Sequence, residues 1–90
     1  MITNSIVELA EAIHNHSVSA YEELYGIWWH KAYQMAFTRL HSAEDAEDVA
    51  QEVFTEIWAQ RANIEPYNFT NWFSNIVNTA CLRQMPARAA

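Results

Sequence analysis

Apolar residues recur every three or four positions along almost the whole chain, and short polar stretches interrupt them in only a few places. That period is helical. A first helix is predicted from a capping box in which Ser5 accepts from the Glu8 N–H while the Glu8 side chain reaches back, with Ile6, Leu9, Ala10 and Ile13 following at helical spacing. It ends in the polar run at residues 14–17. A second is predicted from Ser19, with Glu22 completing the same box, and places Tyr21, Leu24, Tyr25, Trp28, Ala32, Met35 and Ala36 on one face through about residue 40. Gly26 falls on the opposite face. A third starts at Ser42, whose hydroxyl caps Asp45, carries a narrow stripe of Ala46, Val49, Ala50, Val53 and Ile57, and runs to about Arg61. Residues 63–68, containing Pro66, form a loop, and a fourth helix turns Phe69, Trp72, Phe73, Ile76, Val77 and Ala80 inward.

One glycine, two prolines and no alternating β-branched runs argue against a sheet. The expected fold is all-α, a compact four-helix bundle in a single domain over residues 1–90. Within it, residues 1–18 supply the N-terminal helix and a connector, 19–85 the core, and 86–90 a frayed tail or the start of a linker.

Composition supports a folded chain, since 51% of residues are hydrophobic and Trp, Tyr and Phe occur four times each. The single cysteine, Cys81, excludes an internal disulfide, and no basic start followed by an apolar run and a cleavage site opens the chain, so a cytoplasmic protein is expected. No apolar run reaches the ~20 residues that span a bilayer, and the negative surface disfavours anionic lipid. The formal charge of −6, with five Lys and Arg against eleven acids, removes any broad attraction to nucleic acid and leaves only local contacts.

Charge is concentrated in the third helix, where residues 42–58 hold six carboxylates and still include Phe54 and Trp58. At 100° per residue, Glu44, Asp48, Gln51, Glu52 and Thr55 share a face roughly opposite the apolar stripe, with Phe54 and Trp58 at its border. Acids in a first turn offset the helix dipole, which accounts for Glu44, Asp45 and Glu47. The dipole fades beyond that turn, so Asp48, Gln51 and Glu52 beside aromatic edges call for another reason, and a basic partner helix supplies one.

The run AYEELYGIWWHKAYQMAFTRL, then SAEDAEDVAQEVFTEIW, then NFTNWFSNIVNTACLRQ resembles region two of bacterial RNA polymerase sigma factors, particularly the extracytoplasmic-function (ECF) type. The resemblance covers about residues 20–84, and DAEDVAQEVFTEIW is its most specific part. It implies that Asp48, Gln51 and Glu52 dock onto the arginine-bearing clamp helices of the polymerase β′ subunit, with Phe54, Thr55 and Trp58 bordering the contact. Carboxylates meeting arginine forks form charge-assisted hydrogen bonds, and flanking aromatics exclude water around them.

The resemblance further implies that the fourth helix and the loop before it recognise the minus-ten promoter element on the nontemplate strand. By position the DNA-contacting residues are Tyr67, Trp72, Asn75, Asn78, Thr79 and Arg83, although aromatics at helical spacing, Trp72 included, equally fit a core. Two departures from the family pattern stand out. The fourth helix offers only Arg83 where several basic residues are usual, and Asn78 comes one residue early, about 100° of rotation from the family's asparagine. Weak isolated DNA binding is therefore expected, with useful affinity arising in complex with polymerase. An anti-sigma regulator is a further implied partner. The second helical domain of full-length family members has no counterpart in these residues, so the chain is expected to be either a domain cut at Pro86 or a shortened relative.

Enzyme chemistry finds no support in the sequence. His14 and His16 point about 200° apart on a helix, His30 and His41 would sit roughly 16 Å apart on one, and one glycine makes no phosphate loop. No catalytic residue, metal or cofactor is expected. The rival reading is an acidic helical module that binds a protein partner without touching DNA, and the low basic content of the fourth helix favours it.

Overall fold

The computed structural model describes residues 5–89 and consists of four helices: α1 (Ile6–His14), α2 (Val18–Leu40), α3 (Ala43–Ala59) and α4 (Phe69–Ala89). Two single 3₁₀ turns, Arg61–Asn63 and Pro66–Asn68, connect α3 to α4. No strand occurs among the described residues, and the fold is the all-α bundle expected. Residues 1–4 and Ala90, part of the expected N-terminal extension and tail, lie outside the described residues.

Capping decides where the helices begin. Ser5 Oγ accepts from the Glu8 N–H at 3.2 Å, and Ser42 Oγ accepts from the Asp45 N–H at 3.2 Å, as the sequence predicts. The start of α2 differs from expectation. Its N-cap is Ser17, not Ser19, with Oγ accepting from the Ala20 N–H at 3.1 Å. The chain reverses immediately before it, where His16 adopts a left-handed φ of 71° and the Ser17 N–H bonds the Ala12 carbonyl at 2.9 Å. The end of α2 reverses just as sharply: His41 is left-handed, φ 56°, and its N–H closes on the Phe37 carbonyl before Ser42 starts α3. Helix α4 runs to Ala89, past Pro86, where the sequence reading placed a frayed tail or the start of a linker. A proline there supplies no N–H, so that turn lacks one helical bond.

The core gathers the predicted stripes: Leu9, Ala10 and Ile13 of α1, Leu24, Ala32, Ala36 and Leu40 of α2, Val49, Val53 and Ile57 of α3, and Phe69, Phe73 and Val77 of α4. Small alanines on α2 and α3 let these two helices lie close, so α2 and α3 form the most extensive pairing in the molecule. Aromatic rings fill the remaining space, with Trp28 meeting Phe69 at 5.2 Å and Phe73 at 4.9 Å, edge to face. Gly26 sits exposed, with open space where a Cβ would stand.

Candidate docking and nucleic-acid faces

Helix α3 packs by Ala46, Val49, Ala50, Val53 and Ile57, so its opposite side is turned to solvent. Glu44, Asp48, Gln51 and Thr55 lie exposed along that side in one continuous line. Neither the Asp48 carboxylate nor the Gln51 amide has a side-chain partner among the described residues. Thr55 Oγ1 donates back to the Gln51 carbonyl at 3.1 Å, a contact internal to the helix.

Phe54 corrects the sequence reading. Expected at the border of the exposed strip, it is 1% exposed, with its ring 4.9 Å from Tyr25, 6.2 Å from Phe73 and 6.3 Å from Tyr21. The reason is angular: Phe54 lies only about 40° from Ala50 around the helix, and α2 covers that flank with two tyrosines. Trp58 remains half-buried at the rim, between the Tyr21 ring at 5.2 Å and the Arg61 guanidinium at 4.2 Å. Arg61 is held in turn by Nη1 donating to the Trp58 carbonyl at 2.6 Å and Nε donating to His16 Nδ1 at 2.7 Å, while His14 Nδ1 lies 3.2 Å from the Arg61 carbonyl. These contacts tie the α1–α2 turn to the end of α3.

Glu52 stands apart from its two neighbours. It is half-buried, and Arg83 Nη1 of α4 donates to its carboxylate. A residue expected to face polymerase and a residue expected to face DNA are thus each other's partner in the free domain.

On α4, Asn75, Thr79 and Arg83 follow at four-residue spacing and form an exposed row. Opposite them, Glu52 and Glu56 of α3 and its C-cap Gln60 make an antiparallel row, with Gln60 Nε2 donating to Glu56 Oε2 at 2.6 Å. A hollow of about 220 Å³ lies between the rows, lined by Glu56, Gln60, Trp72, Asn75, Ile76 and Thr79. Trp72 is 9% exposed and sits 5.8 Å from Phe69, so it forms the hollow's wall, and the platform expected for a stacked base is not free. Asn78 is half-buried with a buried, unpartnered Oδ1, turned away from the exposed row by the one-residue offset noted in the sequence. Tyr67 stands clear at 85% exposure beside Ile6 and Val7 of α1. Glu56 and Gln60 escaped the sequence reading although their four-residue spacing from Glu52 marks the row. Val18 and Tyr21, which flank Thr55 and Trp58 across the α2–α3 seam, left no linear signal.

Two ionisable groups are shifted by burial. The Tyr21 phenol is pushed above its ordinary value by desolvation and then by Tyr25, and the Cys81 thiol is pushed up by desolvation against a smaller lowering from Arg39. Among the described residues no group of three His, Cys, Asp or Glu side chains is placed to hold a metal ion, and no helix is long and apolar enough to cross a membrane.

No curated protein and no solved structure matches the chain. A family model described as Sigma-70 region 2 matches residues 18–89, which takes in α2, α3, α4 and the turns between them. The chain therefore belongs to the sigma-70 region 2 family, a non-catalytic domain of transcription initiation factors that bind RNA polymerase and recognise promoters.

Proposed function

We propose that the domain is of the ECF type, acts in the cytoplasm, and docks through the exposed face of α3 onto the β′ clamp helices of RNA polymerase. The observation that carries this reading is the exposed line of Asp48, Gln51 and Thr55, in which the Asp48 carboxylate and the Gln51 amide have no side-chain partner among the described residues past the first helical turn, where dipole compensation no longer explains a carboxylate. Asp48 and Gln51 then meet arginines directly, Thr55 and Trp58 border the contact, and Glu52 exchanges or shares its bond to Arg83. The 3₁₀ turn with Tyr67 and the row Asn75, Thr79 and Arg83, which faces Glu52, Glu56 and Gln60, hold the nontemplate strand of the opened minus-ten element, once polymerase has supplied the cationic surroundings that this domain lacks. Trp72 contributes only an edge of the hollow, and Phe54 supports the docking face from inside. An anti-sigma regulator competing for the same α3 face is consistent with that arrangement.

Binding to a β′ clamp-helix fragment tests the docking claim. Asp48→Ala, Gln51→Ala and Glu52→Ala are each expected to weaken binding by roughly 1.5–3 kcal/mol, the range for hydrogen bonds to charged groups. Glu8→Ala and Glu11→Ala, exposed acids on α1, are the controls. Equal losses in both sets would reduce docking to bulk charge.

A second reading, an acidic protein-interaction module without DNA contact, draws support from the Glu52–Arg83 pair, which neutralises the one cation of α4 among the residues with described side chains. With polymerase present, capture of a minus-ten nontemplate oligonucleotide that is indifferent to both Tyr67→Ala and Arg83→Ala would favour this module.

A further inference from the structure

Between the first turn of α2 and the last turns of α3 lies a hollow of about 360 Å³, lined by Val18, Tyr21, Thr55 and Trp58. Its lining is apolar because the polar ends of its walls are committed elsewhere. Tyr21 donates its hydroxyl to the Phe54 carbonyl at 2.9 Å, and Thr55 donates its own to the Gln51 carbonyl at 3.1 Å. The hollow is also preformed, since Trp58 is fixed between Tyr21 at 5.2 Å and the Arg61 guanidinium at 4.2 Å. That guanidinium already occupies a face of the indole, so an incoming cation finds no second welcome there. Val18, 56% exposed at the first position of α2, completes the rim.

The hollow continues the line of exposed groups on α3. Thr55 lies seven residues after Asp48, which on a helix is about 10 Å along the axis and nearly the same direction around it. A single straight element laid along α3 therefore meets unneutralised carboxylates at one end and this apolar hollow at the other. The carboxylates fix the charge of that element as positive.

We infer that the hollow seats one aliphatic side chain, of the leucine or methionine class, carried by the same cationic helix that the α3 carboxylates engage, two helical turns from its arginine. The inference rests on the docking reading above and adds to it the residues Val18 and Tyr21 from α2, the chemistry of the second anchor and its spacing. Apolar burial at this point gives the contact a component that salt does not screen, alongside one that salt does.

The full chain is titrated with a β′ clamp-helix hairpin fragment by calorimetry at about 0.05 M and about 0.5 M salt. Val18→Ser is expected to weaken binding about three- to tenfold at both salt concentrations, the scale of burying part of one aliphatic side chain. Ile27→Ser is the control: Ile27 is 58% exposed and lies half a turn from Val18 around the same helix, so it is expected to change nothing. Thr55→Val keeps the shape of the wall and is expected to bind as tightly or more tightly. Asp48→Asn is expected to weaken binding at low salt and to converge on the parent at high salt. If Val18→Ser matches Ile27→Ser while Asp48→Asn still weakens binding, the hollow is not an anchor and docking stands without it. Silence of both Val18→Ser and Asp48→Asn would end the docking reading and the hollow together.

Discussion

Tyr21 joins two helices with a single side chain. Its hydroxyl donates to the Phe54 carbonyl of α3, and its ring meets Tyr25, Phe54 and Trp58 at 6.4, 6.3 and 5.2 Å. Burial raises its phenol above the ordinary 10.0, and the Cys81 thiol is raised above its ordinary 9.0 in the same way. For both groups the folded state favours the neutral, protonated form, so between the ordinary and the raised values the folded chain holds more protons than the unfolded one. Their contribution to stability is thus complete below pH 9 and is lost as pH climbs through the raised values. Denaturant melts at increasing pH are expected to show stability falling from about pH 9 upward, first through Cys81 and then through Tyr21. Tyr21→Phe is expected to cost about 0.5–1.5 kcal/mol at neutral pH and to make the alkaline decline shallower. A decline of unchanged steepness in that variant would show that Tyr21 is not its source.

At the scale of elements, the start of α2 separates what a motif says from what the chain does. Ser19 with Glu22 satisfies the capping-box pattern, whereas Ser17, with Ala20 three residues on, does not. Ser17 caps the helix all the same, because the left-handed His16 and the bond from Ser17 N–H to Ala12 turn the chain into helical geometry two residues sooner. That early start brings Val18 into the first turn beside Thr55 and Trp58, where it rims the hollow. Ser17→Ala is expected to lower stability by about 1 kcal/mol, which for a chain of this size lowers the melting temperature by roughly 4–8 °C. Ser19→Ala is expected to stay within about 0.5 kcal/mol of the parent. The reverse order in thermal melts would restore Ser19 as the cap.

For the whole molecule, charge distribution governs partner choice. The formal charge is −6, and Arg83, the one cation of α4 with a described side chain, is bonded to Glu52. Exposed pairs of this kind contribute little to stability, typically below about 1 kcal/mol, yet this one cancels the local field that a phosphate would feel. The isolated domain is expected to bind single-stranded DNA weakly, with a log–log salt slope no steeper than about 0.7, the value for one phosphate contact. Fluorescence titrations of a labelled oligonucleotide across salt concentrations measure it, and a slope equivalent to several contacts would reveal cations brought to the DNA by some other arrangement of the chain.

The amino-acid sequence by itself determined the number of helices, the stripes that pack, the caps at Ser5 and Ser42 and the acidic outer line of α3, because these depend on spacing along one helix and on groups three or four residues apart. The three ordered motifs also carry the family resemblance, because each is a run of neighbouring residues along the chain. Tertiary structure alone decided which border residues face out. Phe54 went inward because α2 brings Tyr21 and Tyr25 over its flank, Trp72 became a wall because Glu56 and Gln60 stand across the hollow from it, and Glu52 turned toward α4 because Arg83 stands opposite. Each of those outcomes rests on a neighbour dozens of residues away or on a second helix, and helical periodicity fixes angles around one axis without fixing what stands across from it.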